Sequence, residues 1–131
     1  MKVTADTNIL VRAITEDDQR QGKIAQAELA KADLVALALP ALCELTWVLS
    51  RGYKIPAHEI ADAIRRLLNS PNTAANRPAA EAGLAMLDAG GDFADGVIAY
   101  EGQWLGADTF LSFDKKAMKL LEAQGATVRL L

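Results

Sequence analysis

Apolar positions along the chain switch repeatedly between strand-like and helix-like spacing. Val3-Thr4-Ala5 predicts a short strand. Ile9, Leu10 and Ala13 share one face over 8–14, which predicts a short helix, and 19–32, rich in Ala, Gln and Lys, predicts a second. The unbroken apolar run 34–39 has the pattern of a strand buried on both faces of a parallel sheet. Pro40 stands where a helix tolerates proline, in its first turn, and opens a helix reaching about Arg51. Gly52 and Tyr53 break that pattern. Pro56 opens another helix, with Ile60, Ile64, Leu67 and Leu68 on one face and an Asp62–Arg66 i,i+4 pair on the other. Residues 70–76 have loop composition, with at most a degenerate strand. Residues 79–88 are helical by propensity and stop at Gly90-Gly91. Phe93, Val97, Tyr100 and Trp104 then form a helical stripe expected in the core. A strand at 109–111, a helix at 115–124 and a closing strand at 127–130 complete the pattern.

Strands alternating with helices predict an α/β fold in one domain, 1–131, with a mainly parallel sheet of about five strands and helices on both faces. Such folds place their ligand crevice beyond the carboxyl ends of the strands. Functional side chains are therefore sought just after strands.

Composition narrows the chemistry. Of the 131 residues, 51% are hydrophobic and 24% charged, which excludes a disordered chain. One cysteine permits no internal disulfide and suits a reducing cytoplasm. One histidine and one cysteine also exclude a zinc site built from those ligands. A metal here must be held by carboxylates, which points to Mg²⁺ or Mn²⁺. The net charge of −3 argues against a protein that simply coats nucleic acid. The start Met1-Lys2-Val3-Thr4-Ala5-Asp6 reaches a charge too soon for a signal peptide's apolar stretch, and no apolar run reaches membrane-spanning length, so a cytoplasmic protein is expected.

Four acids fall at the expected places. Asp6 follows the first strand, Glu44 lies in the first turns of the helix after the second, Asp95 opens the helix after Gly90-Gly91, and Asp114 follows the 109–111 strand. Each also has a plain structural explanation. Asp6 and Asp114 suit N-caps, and Asp92 with Asp95 suits a capping pair. Glu44 is flanked by Leu42, Cys43, Leu45, Trp47 and Val48, where an unpaired carboxylate is costly unless the helix turns it outward or a base such as Arg51 meets it. Clustered acids repel: two unit charges 4 Å apart cost about 4 kcal/mol at an effective dielectric of ~20. A divalent cation relieves that repulsion and can activate water for phosphodiester hydrolysis.

The opening Asp6-Thr7-Asn8-Ile9-Leu10, the helix Leu42-Cys43-Glu44-Leu45, the segment Asp92-Phe93-Ala94-Asp95 and the late Phe113-Asp114 resemble a PIN-domain ribonuclease, more narrowly a VapC toxin of a type II toxin–antitoxin pair. The resemblance runs over essentially the whole chain. It implies a three-layer PIN-like fold and an Mg²⁺- or Mn²⁺-dependent endoribonuclease. The family's acidic quartet falls on Asp6, Glu44, Asp95 and Asp114, with Asp92 available to a second metal. Asn8 and Ser112 match positions that orient ligands or water. The resemblance further implies an RNA substrate, a small VapB-like antitoxin and a homodimer. Gly96 departs from the usual pattern and is expected to loosen its helix turn.

Other residues carry less. His58 lies on a polar face, Cys43 is expected to be a buried small hydrophobe, and Trp47 and Trp104 to anchor a core or an interface. Arg12, Arg51, Lys54, Lys115 and Lys116 are candidate phosphate contacts if they rim the crevice, with Lys115-Lys116 favoured by their neighbour Asp114. Two other classes fit the pattern less fully. A catalytically silent binding module keeps the fold without the cleavage. A phosphoacceptor receiver domain needs paired acids after the first strand, where this chain has Asp6 alone.

Overall fold

A computed structural model describes all residues, 1–131. The chain forms two compact units, Met1–Arg77 and Pro78–Leu131.

The first unit begins with β1 (Lys2–Thr4), α1 (Thr7–Thr15), α2 (Gln19–Lys31) and β2 (Leu34–Leu37). It continues with α3 (Leu39–Trp47), a π-helical turn (Val48–Gly52), α4 (Ala57–Leu68) and β3 (Thr73–Ala75). The three strands form one parallel sheet in the order β1-β2-β3, so β2 is its middle strand. Val35 faces Val3 on one side and Thr73 on the other. Parallel neighbours require crossovers, and the helical pairs α1–α2 and α3–α4 supply them. Leu10, Leu42, Leu45, Leu49, Ile60, Ile64 and Leu68 are fully buried here. Burying each such side chain contributes about 1.5–3 kcal/mol.

In this unit, 70–76 holds a true strand, Thr73–Ala75. Apolar content is weak there because the strand is half-exposed and held by its backbone pairing to β2. On α1 the buried pair is Leu10 and Val11, and Ile9 is exposed. The expected Asp62–Arg66 ion pair is not formed: both side chains are exposed, where holding two long side chains together gains little. The helix expected to reach Arg51 changes character at Val48, where Tyr53 N–H reaches back five residues to the Val48 carbonyl at 3.2 Å. Cys43 is half-buried, and Trp47 is exposed with the Arg51 guanidinium 5.7 Å from its ring centre.

The second unit holds α5 (Arg77–Asp88, which starts at the boundary), α6 (Phe93–Trp104), β4 (Phe110–Ser112), α7 (Lys115–Ala123) and β5 (Val128–Leu130). β4 and β5 pair in parallel, Leu111 opposite Arg129, across the α7 crossover. All five strands of the chain thus run in parallel ladders, three in one sheet and two in the other.

Phe93, Leu84 and Met86 are fully buried in this unit. A side-chain carbon on Gly83 would lie 2.6 Å from the Phe93 ring, so the missing carbon makes room for that ring. Gly96 does not loosen its turn. A carbon there would stand 2.3 Å from the Ala82 carbonyl oxygen, so Gly96 is the point of close approach between α5 and α6. The predicted stripe on α6 is buried through Val97 only. Tyr100 is half-exposed and Trp104 is 76% exposed, its Nε1 donating to the Tyr100 hydroxyl at 2.6 Å. The period was right, but the last helical turn runs past the core. No helix in the chain is long and apolar enough to cross a membrane.

Candidate functional site

Three of the acids cap helix N-termini, and two of them, Asp6 and Asp114, also follow strands. Asp6 is the N-cap of α1, its Oδ1 accepting from Ile9 N–H at 3.0 Å. Asp92 caps α6 through Ala94 N–H at 2.9 Å, and Asp114 caps α7 through Ala117 N–H at 3.1 Å. In Asp6 and Asp114 the cap uses Oδ1, which leaves the second carboxylate oxygen, Oδ2, without a hydrogen bond. Asp6 is exposed, although Ala5 before it is buried. It leaves the strand to serve the helix, so the burial of Ala5 does not extend to it.

Glu44 is exposed too. Leu42, Leu45 and Thr46 face inward on α3, and helical rotation turns Glu44 and Trp47 out. The apolar neighbours that seemed to make Glu44 costly therefore do not surround it. Its Oε2 accepts a long hydrogen bond, 3.4 Å, from the Thr7 hydroxyl. Thr7, directly after Asp6, is thus the residue within the first unit that links the neighbourhoods of Asp6 and Glu44. Its only sequence signal was that adjacency. Asn8 is exposed in the first turn of α1.

In the second unit, Asp95 is half-buried in the first turn of α6. Burial raises its carboxyl above the usual range, and the negative charges of Asp92 and Asp114 raise it further. These three acids are therefore close enough to act on one another. Ser112 Oγ accepts from Asp114 N–H at 2.9 Å and so fixes the turn that carries this acid. Lys115 and Lys116 are exposed in the next turn and form no ion pair.

The donor set fits a hard divalent cation in kind: every donor is a carboxylate oxygen, and the charges that push Asp95 upward are those a cation would offset. The acids do not form a closed shell, for no three His, Cys, Asp or Glu side chains stand in a metal-holding group.

Arg12 differs from the expected phosphate contact. Its Nη1 donates to Asp17 Oδ1 at 2.9 Å. Asp17 also accepts from the Tyr53 hydroxyl at 2.7 Å and the Thr15 hydroxyl at 3.0 Å. The bond from Tyr53, then that from Arg12, hold the Asp17 carboxyl down at about 2, while the same contacts raise Tyr53 and Arg12. This clamp ties the end of α1 to the residue that follows the π turn. Lys54, just beyond, adopts a left-handed backbone, φ 57°. The clamp leaves no mark in the sequence because Asp17 and Tyr53 lie 36 residues apart with no local pattern.

A cleft of about 640 Å³ in the first unit is walled by Leu10, Ile14, Leu29, Val35 and Leu67. Its size suits a small ligand, but neither Asp6 nor Glu44 lines it.

Comparison with known families gives one match: the PIN domain, over residues 3–122. That span includes Asp6, Glu44, Asp92, Asp95 and Asp114. No curated protein matches the chain closely enough to count as a relative.

Proposed function

The chain belongs to the PIN domain family, a family of nuclease-type fold, and from that membership we propose that it is a divalent-metal-dependent endoribonuclease acting as the toxin of a type II toxin–antitoxin pair. The observation that carries the reading is Asp95. A half-buried carboxyl in the first turn of α6, raised by burial and by two neighbouring acids, lies within the span matched to the family.

In this reading Asp6 and Asp95 would be ligands for Mg²⁺ or Mn²⁺, Glu44 and Asp114 would support them or hold the attacking water, and Asp92 would serve a second ion. The cation, when bound, supplies charge for the leaving oxygen and lowers the proton affinity of water. The chain's own residues do the rest. The caps at Asp6 and Asp114 fix each carboxylate while leaving Oδ2 available. Thr7 steers Glu44, and Ser112 holds the turn before α7. Lys115 and Lys116 attract phosphate. A VapB-like antitoxin, a homodimer and a cytoplasmic setting complete the proposal.

The test is cleavage of RNA with Mg²⁺ or Mn²⁺ by wild type, Asp6→Asn and Asp95→Asn. Losing even an outer partner of a metal ligand costs about 10- to 100-fold, so each variant should fall by at least about 100-fold. Equal activity in all three would refute the assignment. The second reading is a PIN-fold binding module without catalysis. That reading predicts tight partner binding and no metal-dependent cleavage by wild type.

A further inference from the structure

Phe113 is 81% exposed. It sits in the turn between β4 and α7, where an aromatic ring left in water gains nothing for the fold. The turn does not need it: Asp114 N–H bonds Ser112 Oγ at 2.9 Å, and Asp114 caps α7 at 3.1 Å, both without the ring. Its immediate neighbours are of another kind. Asp114 comes next in the chain, followed by Lys115 and Lys116, both exposed and without an ion pair.

We propose that Phe113 is a stacking platform for an unpaired nucleobase of the substrate strand, with Lys115 and Lys116 meeting the phosphates that flank that base. The inference rests on the nuclease reading above and adds to it a residue that holds the substrate strand. Three features favour this occupant. An exposed ring offers a flat apolar face, which every nucleobase can use whatever its sequence. Two free cations within the next three residues match the charge of a phosphate backbone and not that of an apolar protein surface. A base held on Phe113 has its flanking phosphates beside Asp114, an acid proposed for the chemistry. Stacking also requires an unpaired base, so a duplex, whose bases face one another, does not fit.

The experiment measures binding apart from cleavage. A fluorescently labelled single-stranded RNA octamer is titrated by anisotropy in EDTA with the full chain and with Phe113→Ala, Phe113→Trp and Phe113→Leu, and each titration is repeated with octamers carrying one abasic position in turn. Stacking is worth about 1–3 kcal/mol per base, so Phe113→Ala should weaken binding by about 5- to 150-fold. Phe113→Trp should hold or improve affinity, and Phe113→Leu, apolar but without a ring, should fall with Ala. One abasic position should weaken wild-type binding by a similar factor and leave Phe113→Ala unchanged. The DNA octamer of the same sequence shows whether the sugar matters; equal binding of DNA would retain the platform and overturn RNA as the substrate class. Unchanged affinity in Phe113→Ala, or abasic and Ala losses that simply add, would overturn the platform. So would Phe113→Ala shifting the sedimentation of the protein while RNA affinity stays constant, which would assign the ring to contact between copies of the chain. Because every titration omits divalent metal, wild-type failure to cleave RNA would sink the nuclease reading and leave these results standing on their own.

Discussion

At the scale of single residues, one carboxylate can serve two purposes. Asp6, Asp92 and Asp114 were each open to a capping explanation, and the structure gives all three that role. Capping uses Oδ1 in Asp6 and Asp114 and so does not compete with a ligand on Oδ2. Asparagine caps as well as aspartate, whereas alanine loses about 1 kcal/mol. Without metal, Asp6→Asn should therefore melt at or above the wild-type temperature, since it keeps the cap and removes a charge. Asp6→Ala should melt lower by thermal denaturation followed by circular dichroism. A large loss in Asp6→Asn would mean that the charge itself holds the fold. Asp17 makes a pH-dependent prediction. Its carboxyl lies at about 2 when folded, against an ordinary 3.8, because Tyr53 and Arg12 bond the ionised form. A depressed carboxyl stabilises above its unfolded value and loses that effect as pH falls through the folded value. The gap in melting temperature between wild type and Asp17→Asn should be full at pH 6 and close steadily from about pH 4 towards pH 2. A gap independent of pH would remove the ionised clamp as its cause. Asp6 and Asp114 were legible as residues because each follows a strand, and Glu44, Asp92 and Asp95 because each stands at or near the start of a helix. Glu44's exposure was not, since neighbours in sequence say nothing of which way a helix is turned. The bonds of Thr7 to Glu44 and of Tyr53 to Asp17 were not legible, because side-chain bonds between distant segments leave no periodic trace.

At the scale of elements, the positions of strands and helices were readable almost throughout, because burial on one face imposes a period. The strand at Thr73–Ala75 was faint, because its pairing is carried by backbone groups that have no side-chain signature. The π turn at Val48–Gly52 was invisible for a related reason: a widened turn uses the same residue types as an ordinary one. Gly96 shows the opposite error. A glycine inside a helix has the signature of a weak point, yet here it permits α6 to approach α5. Gly96→Ala would drive a carbon into the Ala82 carbonyl, a backbone atom that cannot swing aside. Overpacking of this kind costs about 1–3 kcal/mol. The variant should melt several degrees lower, and the shift of α6 should displace its first-turn Asp95. Gly102, on the same helix with open space around it, is the control: Gly102→Ala should be neutral or stabilising. Equal effects at the two glycines would exclude the close approach as the cause.

At the scale of the whole chain, the five-strand parallel count and the α/β class followed from pattern alone, whereas the division into two compact units did not. No composition shift marks the boundary near Arg77. If acids from this chain hold a divalent cation, binding must stabilise the native state as a whole. At a cation concentration 100 times Kd the linkage is about 2.7 kcal/mol, or roughly 10 °C in melting temperature for a chain of this size. Mg²⁺ or Mn²⁺ should raise the wild-type melting temperature and have much less effect on Asp95→Asn. The same rise in both proteins would locate the ion elsewhere. The surface also differs along the chain. Most of the exposed large apolar side chains, among them Ile98, Trp104, Leu105, Leu111 and Leu131, lie beyond Pro78. As a colloid, the protein carries an oily skin over one stretch and only a slight excess of negative charge to keep molecules apart. Acidifying the buffer or adding sulfate therefore removes the repulsion and leaves the stickiness, so concentrated samples will cloud first under those conditions and stay clear longest in dilute, mildly alkaline solution.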